Sequence, residues 1–435
     1  MSMLKQISLC PGLRGEITPP GDKSISHRAV MLNSIARGRA RLSNFSPAAD
    51  CGSTLTCLQA LGVNIGRVSS VADAIDIHGL GKEGLREADD VLYAGNSATT
   101  MRLLSGLLAA QPFFSIITGD NSLRSRPMDR VISPLRLMGA DIWGRGEGSL
   151  APLAIKGGQL HGIEYVLPVP SAQIKSAILM AALLADGETI IHEPAKSRDH
   201  TERMLQAMGV SLRVDGCCIS VTPPDVPPNS IDFHIPGDIS CAAYWLIAGA
   251  IHPDARIRIK DTGMNPTRTG IVDVLLKMGA TLRIENQRRT GGGEPLTDLL
   301  IESSELTGTE IGGDLIPRLI DEIPVIAVAA CVAKGVTVIK DAAELRVKET
   351  DRIRDLVNEL SKFGATLEEM PDGMTIYGGA KLRGARCSSH YDHRLAMALG
   401  IAGLVAEGET VIEDAEVVEV SYPTFWQDMR RITAN

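Results

Sequence analysis

The sequence has no long apolar run. The longest, IPVIAVAACVA (323–333) and LAMALGIAGLVA (395–406), fall well short of the roughly 18 residues that a membrane span needs. The opening stretch MSMLKQISLCPGLRG holds neither a signal-peptide core nor an Arg/Ser-rich amphipathic segment, so a cytoplasmic location is expected. Cysteine is scattered: eight in 435 residues, with only Cys217 and Cys218 adjacent and no C-x-x-C. That argues against a zinc site and for reduced thiols. His390 and His393 are spaced like metal ligands, but no Cys or third His lies near them, and no metal is expected. A net charge of −8 disfavours a general nucleic-acid-binding face, so any anionic ligand must be held by a local cationic cluster. GDKS lacks the spacing of a Walker A loop, and there is no dinucleotide fingerprint or serine nucleophile elbow.

What the sequence does have is repetition. At 435 residues, 44% apolar and 22% charged, it is long enough for two domains of ordinary globular composition. An apolar helical stretch followed by Ala-x-Gly-x-Thr and two apolar residues occurs in LLADGETII (183–191), CVAKGVTVI (331–339) and LVAEGETVI (404–412). Weaker copies are IARGRARL, LAAQPFFSI and AIHPDARIRI. The turns fall at Gly38, Gln111, Gly187, Pro253, Gly335 and Gly408. A second pattern interleaves as LQALGV, LRLMGA, LQAMGV, LLKMGA and LSKFGA, each ending a helical period in a Gly suited to a left-handed C-cap. Strand-like segments such as SLRVDGCCISV follow. Six units of about 70 residues are each too small to fold alone. They are expected as three plus three in two lobes: residues 21–235 in one, and 1–20 with 236–435 in the other. The Pro-rich TPPDVPPNS (222–230) lies just before the break.

Unusual polar residues cluster just ahead of the first helix of each unit: PPGDKSISHR, GNSATTMR, PSAQIKS, PGDIS, DEIP and YDHR. Ser, Thr, Asp and Asn at a helix start are first of all caps. Capping does not call for Lys23, Arg28, Arg102 and Arg394 at the same ends, because a cation opposes the helix dipole there. A bound anion does, since exposed N–H groups and the dipole favour negative charge. SLRSRPMDR (122–130) reads as an Arg-rich loop. ELRVKETDR (344–352), seen alone, reads as an exposed charged helix.

Taken together, GDKSISHR, GNSATTMR, RSRPM, PSAQIKSA, SRDHTE, DEIP, LRVKETDR and DHRLAM, in that order over nearly the whole chain, resemble the 5-enolpyruvylshikimate-3-phosphate synthase family. The resemblance implies an α/β fold: a two-lobed inside-out α/β barrel, each lobe of three βαβαββ repeats. It implies an active site in the cleft between the lobes, and carboxyvinyl transfer from phosphoenolpyruvate to the 5-hydroxyl of shikimate-3-phosphate. No cofactor or metal is implied, and a monomer is expected. Carried over by motif, Lys23, Ser24, Arg28, Ser171, Ala172, Gln173, Arg198, Asp321 and Lys348 would hold shikimate-3-phosphate. Lys23, Asn96, Ala98, Arg126, Gln173, Arg352 and Arg394 would hold phosphoenolpyruvate. Asp321 would be the base and Glu349 the acid, with Lys23 as an alternative proton donor. Two phosphates and two carboxylates call for such a set of cations, and arginine suits them.

Two departures from the common family pattern stand out: Asn96-Ser97-Ala98-Thr99 in place of Asn-Ala-Gly-Thr, and no Lys in VVEVSYPTFWQDM. Both resemble the divergent, glyphosate-tolerant class. The related transferase acting on UDP-N-acetylglucosamine usually carries Lys-Asn where this chain has Lys23-Ser24, and a Cys near the Arg-Pro motif, which LRSRPM lacks. A non-catalytic scaffold of the same repeats would not need Asp321, Glu349 and the cluster of arginines.

Overall fold

A computed structural model of the chain describes residues 3–68 and 73–433. It divides into two compact units: Gly21–Pro236 with Arg289–Glu294, and Met1–Pro20 with Gly237–Arg288 and Pro295–Asn435. The segment 289–294, which sequence reasoning leaves with the second of these, packs with the first. Gly292 lies against the Phe233 ring, Glu294 bonds His200, and Arg203 donates to the carbonyl of Gly293.

Each unit is built from three repeats, and each repeat buries one helix. In the first unit these helices are Lys23–Ser34, Ala98–Ala109 and Ala172–Ala182. In the second they are Ile239–Ile251, Ile323–Val332 and His393–Gly403. Most are largely apolar, Ile323–Val332 (IPVIAVAACV) on every side, while Lys23–Ser34 buries polar residues as well, and nearly all of their residues are buried. Within a unit they pack on one another, which places helices inside and sheets outside.

Among the described residues six separate sheets cover them, none closed, and five of them share one pairing rule. A short leading strand runs parallel to the strand after the buried helix, which runs antiparallel to the last strand of the repeat. Glu164–Val166, Thr189–His192 and Cys218–Val221 show it. The alternating SLRVDGCCISV is therefore not one strand but a hairpin, Leu212–Asp215 with Cys218–Val221, turned at Gly216. The pairing also explains why the chain starts in one unit and returns to it. Leu13–Ile17 leads the sheet of the fourth repeat beside Ala255–Gly263. Phe233–His234 leads that of the first repeat beside Arg37–Ser43. Lys5–Ser8 completes the sixth sheet against Glu409–Glu413.

The five LxxMGA-type glycines, at 62, 139, 209, 279 and 364, all have positive φ, as a left-handed C-cap requires. The linker 222–230 has no strand but is tied down within its unit, with Arg37 N bonded to the Pro228 carbonyl and Asn229 N to that of Met208. All eight cysteines are free. Among the described residues no helix is long and apolar enough to cross a membrane.

Close helix packing predicts opposite outcomes for one substitution at two helical glycines. A Cβ at Gly106 would stand 2.2 Å from the carbonyl oxygen of Ala177 on the neighbouring buried helix, whereas one at Gly52 would meet nothing. Gly106→Ala should destabilise by about 1–3 kcal/mol, and Gly52→Ala should stabilise by about 0.5–1 kcal/mol. Urea unfolding of both variants checks this.

Candidate active site

Five of the six buried helices begin with a side-chain cap. Asp22, Ser97, Ser171, Asp238 and Asp392 accept backbone N–H groups of the first turn. The sixth has Glu322 at the cap position, without such a bond, and Pro324 in its first turn. The caps leave other N–H groups of the same turns facing outward, and the cations take their places around these starts.

In the first unit the three starts are bonded to one another. Lys23 opens the first helix, its Nζ 2.8 Å from Asp50 Oδ2. Arg28, one turn on, is buried. Its guanidinium donates to the Ser24 carbonyl (2.9 Å), to Thr201 Oγ1 (2.8 Å), to Ser176 Oγ (2.9 Å) and to the Ala172 carbonyl (3.3 Å). That ties the start of the first helix to the start of the third, where Ser171 is the cap. Gln173 then bridges to the second start: its Nε2 donates to Thr99 Oγ1 at 2.9 Å, while its Oε1 accepts from Arg102. Ala98 is the first residue of that second helix and is half-buried. Asn96 accepts from Arg126 at 2.9 Å and donates to Asp120 at 2.7 Å. Arg198 lies half-buried in the loop before the helix His200–Ala207.

Lys175 belongs to PSAQIKS, one of the polar clusters near the helix starts. The structure buries it completely, with Nζ 2.8 Å from Glu193 Oε2 and 2.6 Å from Glu202 Oε1. Burial pulls its pKa down, but the two glutamates outweigh that and raise it. A buried charge held this way is structural. Glu193 also takes the N–H of Ser197, so the group secures the loop that carries Arg198.

In the second unit the acid candidate Glu349, the base candidate Asp321 and two arginines come together. Arg352 opens the helix Arg352–Lys362 after its cap Asp351. It is 1% exposed and lies 2.7 Å from Asp392, 2.6 Å from Glu349 and 3.8 Å from Asp321. Burial lowers its pKa, but Asp392 and Glu349 more than reverse that, so the pKa is raised. Arg394 donates to the Asp321 carbonyl at 3.1 Å and lies 3.7 Å from its carboxylate. Lys348 is half-buried just after a 3-10 turn, Ala343–Val347. ELRVKETDR is therefore not one exposed helix: its last residue is a fully buried arginine. SLRSRPMDR likewise departs from a loop. It forms a short helix, Asn121–Ser125, and enters another at Asp129, leaving only 126–128 between them. His390 bonds Glu359 at 2.9 Å.

The residues that sequence reasoning missed are the anionic partners Asp50, Asp120, Glu193 and Glu202. The pairs they form join residues 18–27 positions apart, a separation that no helical or strand period marks. Asp392 was visible in its motif, but its hold on Arg352 was not.

Comparison with known proteins agrees with the motif order. A family model described as EPSP synthase (3-phosphoshikimate 1-carboxyvinyltransferase) matches residues 10–429. A 3-phosphoshikimate 1-carboxyvinyltransferase of Herpetosiphon aurantiacus is 54% identical over 432 residues, covering 99% of each chain. One of Bacillus cereus is 54% identical over 421 residues, covering 97% of each. The solved structure of an EPSP synthase from Acinetobacter baumannii matches with a TM-score of 0.89 at 42% identity, covering 99% of this chain and 98% of that one. With motifs, repeat architecture and full-length similarity in agreement, the chain belongs to the EPSP synthase family.

Proposed function

We propose that the chain transfers the carboxyvinyl group of phosphoenolpyruvate to the 5-hydroxyl of shikimate-3-phosphate and releases phosphate, a step of the shikimate pathway towards chorismate and the aromatic amino acids. The family match over residues 10–429 carries this reading. In it, Lys23, Ser24, Arg28, Ser171, Ala172, Gln173, Arg198, Asp321 and Lys348 serve shikimate-3-phosphate. Lys23, Asn96, Ala98, Arg126 and Gln173, with Arg352 and Arg394, serve phosphoenolpyruvate.

Two proton transfers accompany the C–O bond. The 5-hydroxyl oxygen attacks C2 of phosphoenolpyruvate as it loses its proton, while C3 gains one, giving a tetrahedral adduct. Loss of a C3 proton then expels phosphate and restores the double bond. An acid and a base are needed. Asp321 suits the base, since the guanidinium groups of Arg352 and Arg394, at 3.8 Å and 3.7 Å, favour its ionised form before the proton arrives. Glu349 is bonded to Arg352 at 2.6 Å. A substrate anion competing for Arg352 would loosen that bond and let Glu349 take up the proton it must give; Lys23 is the alternative donor. Asp392 keeps Arg352 aimed throughout.

Eight free thiols fit a reducing compartment, so the cytoplasm is the proposed location, with a single chain as the working unit. The Ala98 methyl at a helix start that receives phosphoenolpyruvate leaves less room than glycine. We therefore assign the chain to the glyphosate-tolerant class.

Phosphate release from phosphoenolpyruvate should depend strictly on shikimate-3-phosphate and not respond to UDP-N-acetylglucosamine. Release without the shikimate, or with the nucleotide sugar, contradicts the function. Asp321→Ala should lower kcat by about two to four orders of magnitude; a variant keeping more than about a third of turnover excludes the base role. Ala98→Gly should tighten glyphosate inhibition by about 5- to 150-fold, the equivalent of the cost of one overpacked methyl. Inhibition measured in competition with phosphoenolpyruvate decides this, and an unchanged inhibition constant rules the methyl out.

A further inference from the structure

Behind the helix start that carries Ala98 lies a buried chain of polar groups that the proposed reaction does not use. His27 Nδ1 is 2.6 Å from Thr54 Oγ1. Thr54 Oγ1 is 2.7 Å from Thr100 Oγ1. Thr100 Oγ1 is 2.8 Å from Ser97 Oγ, which also accepts the Thr100 N–H at 3.1 Å. All four residues are buried: His27, Thr54, Thr100 and Ser97 are each 0% exposed. Buried polar groups in the core of a unit cost free energy unless they are bonded, so the chain asks for an explanation.

A single direction of donation satisfies all three bonds. Burial pushes the His27 pKa down to about 3, so the ring is neutral. With its proton on Nδ1, the imidazole donates to Thr54, Thr54 to Thr100, and Thr100 to Ser97. Among the described residues nothing bonds Nε2, which in this tautomer is only a lone pair. The chain joins three elements: the helix that begins at Lys23, the helix Ala49–Ala60 that carries Asp50, and the helix that begins at Ala98. The Thr100 hydroxyl also lies 3.3 Å from the Asp50 carbonyl, and Asp50 is the residue that pairs with Lys23. One hydroxyl thus touches both the cap of the second helix start and the segment that holds the cation of the first.

We propose that Thr54 and Thr100, oriented by His27, are positioning residues that set the Ser97–Ala98 helix start against Lys23, and so fix the phosphoenolpyruvate end of the site. This rests on the reading that Lys23, Asn96, Ala98 and Arg126 serve that substrate. The chain does not touch the groups assigned to shikimate-3-phosphate on the third helix start. Lys23 serves both substrates in that reading, but Asn96, Ala98 and Arg126 serve phosphoenolpyruvate alone, so the loss falls more heavily on phosphoenolpyruvate. A purely architectural network would instead lower stability and leave the two substrates alike.

The test is Thr100→Val, which keeps the shape and removes the hydroxyl, alongside Thr100→Ser, which restores it. Thr54→Val carries the test if Thr100→Val fails to fold. Removing one buried bond of this kind should raise KM for phosphoenolpyruvate by about 5- to 30-fold, with a clearly smaller rise in KM for shikimate-3-phosphate and with Thr100→Ser close to the parent. A fall in melting temperature with both KM values unchanged, a parallel rise in both, or a serine variant no better than valine overturns the proposal. Arg126→Ala, measured beside them, separates the two levels. If it raises KM for phosphoenolpyruvate while Thr100→Val does not, only the positioning role fails; if neither raises it, the assignment of this end of the site fails as well.

Discussion

The structure depends on a conflict at the ends of buried helices. Each repeat must bury an apolar helix against its two neighbours, and a buried helix leaves unpaired N–H groups at its start. Capping by Asp22, Ser97, Ser171, Asp238 and Asp392 satisfies some of them. In the first unit the starts are also bonded to one another, through Arg28 and Gln173. What the caps leave is a set of donors with a favourable dipole for anions. The helices that form the interior of each unit thus also present, at their starts, the surface proposed to recognise charged substrates.

The cations at these ends are not bare. Lys23 lies on Asp50, Arg352 on Asp392 and Glu349, and Arg394 beside Asp321. In a chain of net charge −8 such pairing is easily supplied. It avoids clustering like charges in partly buried positions, where they would cost more than in water. In the proposed function, substrate anions would exchange with these carboxylates, which would tie recognition to the protonation state of Asp321 and Glu349.

Much of this was legible in the sequence, for stated reasons. The six-fold periodicity followed from the spacing of Gly38, Gly187, Gly335 and Gly408, and the helix ends from glycines that require positive φ. The motif residues carried the family because their order is specific. What was not legible was long-range. The Lys175 pair with Glu193 and Glu202, the Asp50 and Asp120 partners, and the strand exchange that gives Leu13–Ile17 to the fourth repeat all depend on tertiary contacts without a local signature. Lys175 looked like its neighbours in sequence and differs only in where its side chain points. ELRVKETDR misled because its charged pattern is that of a solvated helix, while Arg352 is buried by its own carboxylate partners.

The central claim is that the bonded helix starts of the first unit receive the substrate's phosphate by exchange with protein carboxylates. A crystal structure of the protein with shikimate-3-phosphate tests it most directly. The account predicts phosphoryl oxygens within hydrogen-bond reach of Ser171 and Arg198, with Lys23 Nζ moved from Asp50 to the ligand. A phosphoryl group bound away from these starts, with the Lys23–Asp50 pair intact, would contradict it.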